Sequence, residues 1–180
     1  MKKLTYQEIS ARRLSKQEIQ ETERFPLFTL LDNIRSLHNV GSIFRTADAV
    51  RLQKLFLSGI TGQPPRKEID KTALGAVETV PWEYHVDPLG VIKNLKNRKV
   101  KIIVLEHTSH SIPYNEISID FPVCLVVGNE VFGVQDKIVE LSDMSVEIPM
   151  YGTKQSLNVS IAYGVVIYHI LFKYLETTDR

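Results

Sequence analysis

Three short polar clusters stand where the chain around them is mostly apolar. The first is His38-Asn39-Val40-Gly41-Ser42-Ile43-Phe44-Arg45-Thr46-Ala47-Asp48. Asn39 precedes a helical pattern and is expected to cap it. Gly41 keeps the helix start open to close approach. Arg45 follows four residues later, a planar fork of donors among Ile43, Phe44 and Ala47. Its plainer use is a surface ion pair with Asp48 or Asp32. The second cluster is Gly128-Asn129-Glu130, where the apolar run of residues 122–127 stops. The glycine permits a sharp turn, and the acid can orient a basic partner or simply cap a helix. The third is Ser156-Leu157-Asn158, which leads straight into the apolar run of residues 159–172. Unpaired polar groups in such surroundings cost free energy. At a helix N-terminus, where backbone N–H groups are free, either side chain can serve as a cap or face a ligand.

The elements that must carry these clusters alternate between strand and helix. Apolar strand patterns cover residues 26–34, 52–59, 80–86, 101–107, 122–128 and 144–149. Helical spacing covers residues 6–24, 41–51, 89–97, 134–141 and 159–172. Ile-Ile-Val-Leu at 102–105 and Val-Cys-Leu-Val-Val at 123–127 do not alternate, which predicts strands covered on both faces. The expected fold class is therefore α/β, a parallel sheet between helices. Ligands of such sheets bind beyond the carboxyl ends of the strands. Here those ends carry Asp32-Asn33, Ser58-Gly59, Glu106-His107, Gly128-Asn129-Glu130 and Pro149-Met150-Tyr151-Gly152. Neither Gly-x-Gly-x-x-Gly nor a Gly-x-x-x-x-Gly-Lys-Ser/Thr loop occurs, so a nucleotide-like ligand needs another loop arrangement. His107 and His110 have metal-ligand spacing without an evident third ligand, and no metal is expected.

Composition sets wider bounds. With 180 residues, 43% hydrophobic and 24% charged, the chain reads as a single globular domain with a short helical extension at residues 1–24 ahead of residues 25–180. Its start, Met1-Lys2-Lys3-Leu4, is unlike a signal peptide, and its single cysteine, Cys124, cannot pair within the chain. Both features point to the cytoplasm. The run 159–172 predicts a helix buried all round and too short for a bilayer, so no membrane is expected. Net charge is +1 but unevenly spread. Residues 1–101 hold 18 Lys+Arg against 11 Asp+Glu, whereas residues 102–180 hold 4 against 10. Lys93, Lys96, Arg98, Lys99 and Lys101 form a run without an acid, which suits either phosphate tracking or a solvated helix end.

The three clusters together resemble the motifs of the SpoU branch, TrmH-like, of the SPOUT RNA methyltransferases. The first motif of that family is matched by Asn39-Val40-Gly41-Ser42-Ile43-Phe44-Arg45-Thr46-Ala47, and the second by Leu125-Val126-Val127-Gly128-Asn129-Glu130. The third is matched by Ile148-Pro149-Met150 with Ser156-Leu157-Asn158-Val159-Ser160, and the likeness covers about residues 27–174. Val131 departs from the glycine that often follows the glutamate. The resemblance implies a parallel sheet with a C-terminal deep trefoil knot, a homodimer through the C-terminal helix, and bent S-adenosylmethionine bound in the knot, leaving S-adenosylhomocysteine. It implies methyl transfer to a ribose 2′-hydroxyl, in tRNA or rRNA. Arg45 is then the group that activates the hydroxyl, as base or as electrostatic stabiliser. Asn39 and Glu130 orient Arg45 or the ribose, and Ser156 and Asn158 hold the nucleotide. Leu105, Glu106, Gly128, Asn129, Ile148, Met150 and Leu157 are expected on the cofactor. Two other readings stay open: a knotted RNA-binding module without catalysis, and a related enzyme that methylates a base.

Overall fold

The computed structural model describes residues 1–178. Seven parallel strands form one sheet: β1 (Phe25–Asp32), β2 (Leu52–Ser58), β3 (Trp82–His85), β4 (Lys101–Leu105), β5 (Ile112–Pro113), β6 (Val123–Gly128) and β7 (Met144–Glu147). Their spatial order is β3-β2-β1-β6-β4-β7-β5. The chain builds outward from β1 to β2 and β3, then crosses to the other side of β1 for the rest. β1 is thus the boundary at which strand order reverses, where open sheets of this kind leave a crevice. Register brings Asp32 opposite both Ser58 and Gly128, so the carboxyl ends of β2, β1 and β6 finish level.

Helices cover both faces, as the unbroken apolar strands require. α3 (Leu37–Ala49), α4 (Lys67–Ala73) and α7 (Val159–Thr178) lie on one face, packing Ile43, Phe44, Ile69, Tyr163 and Ile167 against Leu27, Leu31, Leu55 and Val127. α5 (Pro88–Asn97) and α6 (Asp136–Leu141) close the other, over Phe28, Leu30, Val104 and Val126. The N-terminal segment forms two short helices, α1 (Tyr6–Ser10) and α2 (Lys16–Glu21), instead of one. Only Ile19 of the two is buried, and a Lys16–Glu78 ion pair ties them to the body.

Several elements differ from expectation. α4 falls in a stretch, residues 67–73, to which the sequence patterns assign no element. It ends at Leu74 and Gly75, which have φ of 51° and 90°. β5 is a two-residue edge strand with no pattern of its own. The first cluster starts its helix two residues before Asn39, and Ser36 is the cap, its hydroxyl accepting from Asn39 N–H. Gly41 opens to a neighbouring helix, because a Cβ there would overlap Thr72 Oγ1 and the Ile69 carbonyl. α7 extends to 20 residues, long and apolar enough by length and composition to cross a membrane. Yet it is buried on one face only, by Tyr163, Val166, Ile167, Ile170 and Leu171. Ile161, Tyr168 and Phe172 are exposed along the other, at i, i+7 and i+11 spacing.

Candidate active site

A cavity of about 390 Å³ opens beyond the carboxyl ends of β4, β6 and β7. That volume suits a small-molecule ligand. Its walls come from Leu105-Glu106-His107, from residues 127–131 with Gly133, from Ile148 and Met150, and from residues 155–159 with Ala162. All seven residues expected on a cofactor, Leu105, Glu106, Gly128, Asn129, Ile148, Met150 and Leu157, line it. So do Glu130, Ser156 and Asn158.

The second cluster is shaped by backbone packing. β6 ends at Gly128, and a Cβ there would overlap the backbone of Gly133 and Val134. The absent side chain thus makes room first for the chain's own turn, not for a ligand. The turn is closed by paired hydrogen bonds, Asn129 N–H to Gly133 O at 3.0 Å and Gly133 N–H to Asn129 O at 2.9 Å. Glu106 holds the same turn from beneath, its Oε2 accepting from Val134 N–H at 2.9 Å. Asp32 and Gln135 fasten the far side, with Gln135 Nε2 donating to Asp32 Oδ1 at 2.6 Å.

Glu130 leaves this turn to meet the first cluster. Its carboxylate accepts from Arg35 N–H at 2.9 Å, Ser36 N–H at 3.0 Å and Asn39 Nδ2 at 2.8 Å. These donors stand just before α3 and in its first turn, where a helix favours negative charge. Burial opposes ionisation of Glu130. The donors from Arg35, Asn39 and Ser36 outweigh it and hold the carboxyl below its ordinary range. Asn39 then reaches the third cluster, its Oδ1 accepting from Asn158 Nδ2 at 3.1 Å. Asn158 Oδ1 accepts from Ser160 N–H at 3.0 Å and Ser160 Oγ at 2.7 Å, capping α7. One polar chain, Glu130–Asn39–Asn158–Ser160, therefore joins all three clusters. Among the described residues, Asn158 Nδ2 has one hydrogen left and the exposed Ser156 hydroxyl has no partner, and both residues line the cavity.

Arg45 stands apart from this chain. It lies on the solvent side of α3, outside the cavity lining. Among the described residues it forms no ion pair. Asp48 accepts from Thr79 Oγ1 and Asp32 from Gln135 and Asn33, so neither acid holds it. Glu130 orients Asn39 and not Arg45.

His107, not among the expected site residues, has a place at the cavity. It lines the cavity and pins the 151–158 loop, with Nε2 3.1 Å from Gln155 O and Nδ1 3.4 Å from Glu147 Oε2. Its place after Glu106, at the end of a buried strand, was the available signal. The basic run at 93–101 sits at the amino ends of the strands, away from the cavity. Within it, Lys96 bonds Asp143 and the Leu141 carbonyl, and Arg98 lies over the Phe28 ring.

Residues 26–168 match the SpoU rRNA Methylase family. A tRNA (guanosine(18)-2′-O)-methyltransferase of Aquifex aeolicus is 35% identical over 84% of this chain and 71% of its own. The 23S rRNA (guanosine-2′-O-)-methyltransferase RlmB of Neisseria meningitidis is 33% identical over 79% of this chain, which spans 56% of that relative. The structure is similar to the A. aeolicus TrmH/SpoU tRNA modifying enzyme, with a TM-score of 0.82, 32% identity, and coverage of 91% of this chain and 84% of that one. It is also similar to an AdoMet-bound rRNA methyltransferase from Sinorhizobium meliloti, with a TM-score of 0.74 and 25% identity, over 87% of this chain and 60% of that one.

Proposed function

Because the chain belongs to the SpoU rRNA methylase family, we propose that it is an RNA methyltransferase acting on a ribose 2′-hydroxyl of tRNA or rRNA. The observation that carries this reading is the polar chain from Glu130 through Asn39 to Asn158, at the mouth of a small-molecule cavity. The donor set fits S-adenosylmethionine. Leu105, Ile148, Met150 and Leu157 offer apolar walls, while the ends of β6 and the 155–158 loop offer backbone polar groups. When bound, that group supplies an electrophilic methyl on a sulfonium. The threaded C-terminal knot belongs to the same proposal.

An alcohol is a weak nucleophile at neutral pH and must lose its proton as the new O–C bond forms. Glu130 is a poor base for that proton, since its carboxylate is already occupied by three N–H donors. Its work is positional: it fixes Asn39, and Asn39 fixes Asn158. Asn158 Nδ2 and the Ser156 hydroxyl then hold the ribose against the cavity, where placement lowers the barrier. Arg45 is the remaining group of the right type. A guanidinium keeps its proton, so it stabilises the developing alkoxide, and the proton leaves to solvent. Mapping 2′-O-methylation in RNA from cells with and without the protein tests the reading. One or a few ribose marks should vanish with it, and an unchanged ribose map overturns the reading.

A further inference from the structure

Phe132 has no part in the chemistry above, yet it is conspicuous. Its side chain is 87% exposed, although burial of an aromatic ring is a large favourable term. The turn that holds it is tightly fixed. Asn129 Oδ1 accepts from Val131 N–H at 2.9 Å and Phe132 N–H at 3.1 Å, while Asn129 Nδ2 donates to Asn33 O at 2.8 Å. Gly133, at φ 71°, completes the turn. A ring held outward by so many backbone contacts is presented to something. Its place says what. Phe132 follows Glu130 and Val131, which both line the cavity mouth, and Glu130 fixes Asn39 and through it Asn158. The exposed Arg35 stands on the segment whose N–H groups meet the same carboxylate. An exposed ring one residue beyond the mouth, an exposed arginine on the segment that Glu130 ties to it, and the Asn158 amide and Ser156 residue at the mouth match base, phosphate and ribose of a single nucleotide.

We propose that Phe132 is the stacking surface for the base of the target nucleotide, so that the base is taken out of its own stack to be methylated on the adjoining ribose. This rests on the ribose-methylation reading and deepens it. Every base has a π-face, so the ring holds an unstacked nucleotide without choosing its identity. A base still paired within an A-form helix cannot offer that face, so target nucleotides lie in single-stranded segments or loops. A second copy of the chain is the other possible occupant. The apolar stripe suited to a copy is on α7, whereas Phe132 has only Val131 as an exposed apolar neighbour in its turn.

The test compares wild type, Phe132→Ala and Phe132→Trp as full chains. Tritium transfer from labelled S-adenosylmethionine to total RNA from a strain lacking the protein is measured at varied RNA. S-adenosylhomocysteine calorimetry and light scattering run alongside. Phe132→Ala should raise the KM for RNA about tenfold or more, the size of one lost base–aromatic stack. Cofactor affinity and mass should stay unchanged, and Phe132→Trp should restore the KM. Tritium in refolded RNA should be released by a single-strand-specific nuclease. An alanine variant within about twofold of wild type in KM overturns the proposal. So does one that loses cofactor affinity, which makes the ring a cavity wall, or one that changes mass, which makes it an interface between copies. Label resistant to the nuclease also overturns it. A wild type that transfers no methyl at all overturns the parent reading, and this proposal falls with it.

Discussion

At the scale of the residue, two side chains carry separable duties. Arg45 has no ion-pair partner among the described residues and lies outside the cavity lining, so its duty arises only when substrate is present. Arg45→Ala should lower methyl transfer about 100-fold or more, the loss typical of removing one oxyanion-stabilising donor. Fold by circular dichroism and S-adenosylhomocysteine affinity should stay near wild type. Arg45→Lys should fail as well, because an ammonium lacks the planar fork. Retention of activity within a few-fold would return Arg45 to a surface role. Glu130 has the opposite profile, being engaged before any ligand arrives. Its carboxyl is held below the ordinary 4.5 by its N–H donors, despite burial. The stability it adds is therefore fully present above that value and is lost as pH falls through the lower folded value. Melting curves of wild type and Glu130→Gln should differ at about pH 7, and the gap should close as pH falls below the ordinary carboxylate range. A gap independent of pH would show that ionisation of Glu130 does not matter.

At the scale of the element, the turn after β6 is where packing and site coincide. Gly128→Ala would push a Cβ into the backbone of Gly133 and Val134. The expected cost is about 1–3 kcal/mol, the usual range for overpacking, seen as a Tm lower by about 2–4 °C per kcal/mol. S-adenosylhomocysteine affinity should fall with it, since Asn129 and Glu130 are displaced together. A variant of wild-type Tm would show that the turn yields easily. β4 and β6 were legible because residues 102–105 and 123–127 are unbroken apolar runs, and a run covered on both faces has no competing pattern. α4 and β5 were not, because Lys67–Ala73 buries only Ile69 and Ala73, and Ile112–Pro113 is too short to have a period. The site was legible as three clusters. Its wiring was not. Asn39 meets Glu130 across 91 positions and Asn158 across 119, and local spacing read Asn39 as a cap that Ser36 in fact provides. For the same reason Gly41 read only as open to close approach, without the neighbour, α4, that makes the approach.

At the scale of the whole molecule, the exposed stripe of α7 and the direction of the chemistry remain to be joined. Ile161, Tyr168 and Phe172 lie along one side of a helix whose other side is core, and a stripe of this kind suits a second copy. Light scattering should give twice the 20.5 kDa chain mass, and Tyr168→Glu with Phe172→Glu should give one chain mass with helix content retained. A wild-type monomer at micromolar concentration would leave the stripe without that use. Ribose methylation is decided by where the methyl group goes. Purified protein, tritiated S-adenosylmethionine and total RNA from a strain lacking the protein can be incubated together and the RNA hydrolysed in alkali. Alkaline cleavage needs a free 2′-hydroxyl, so a methylated ribose protects the bond on its 3′ side. Ribose methylation should leave tritium in alkali-resistant dinucleotides. Tritium confined to mononucleotides would place the methyl on a base and contradict it.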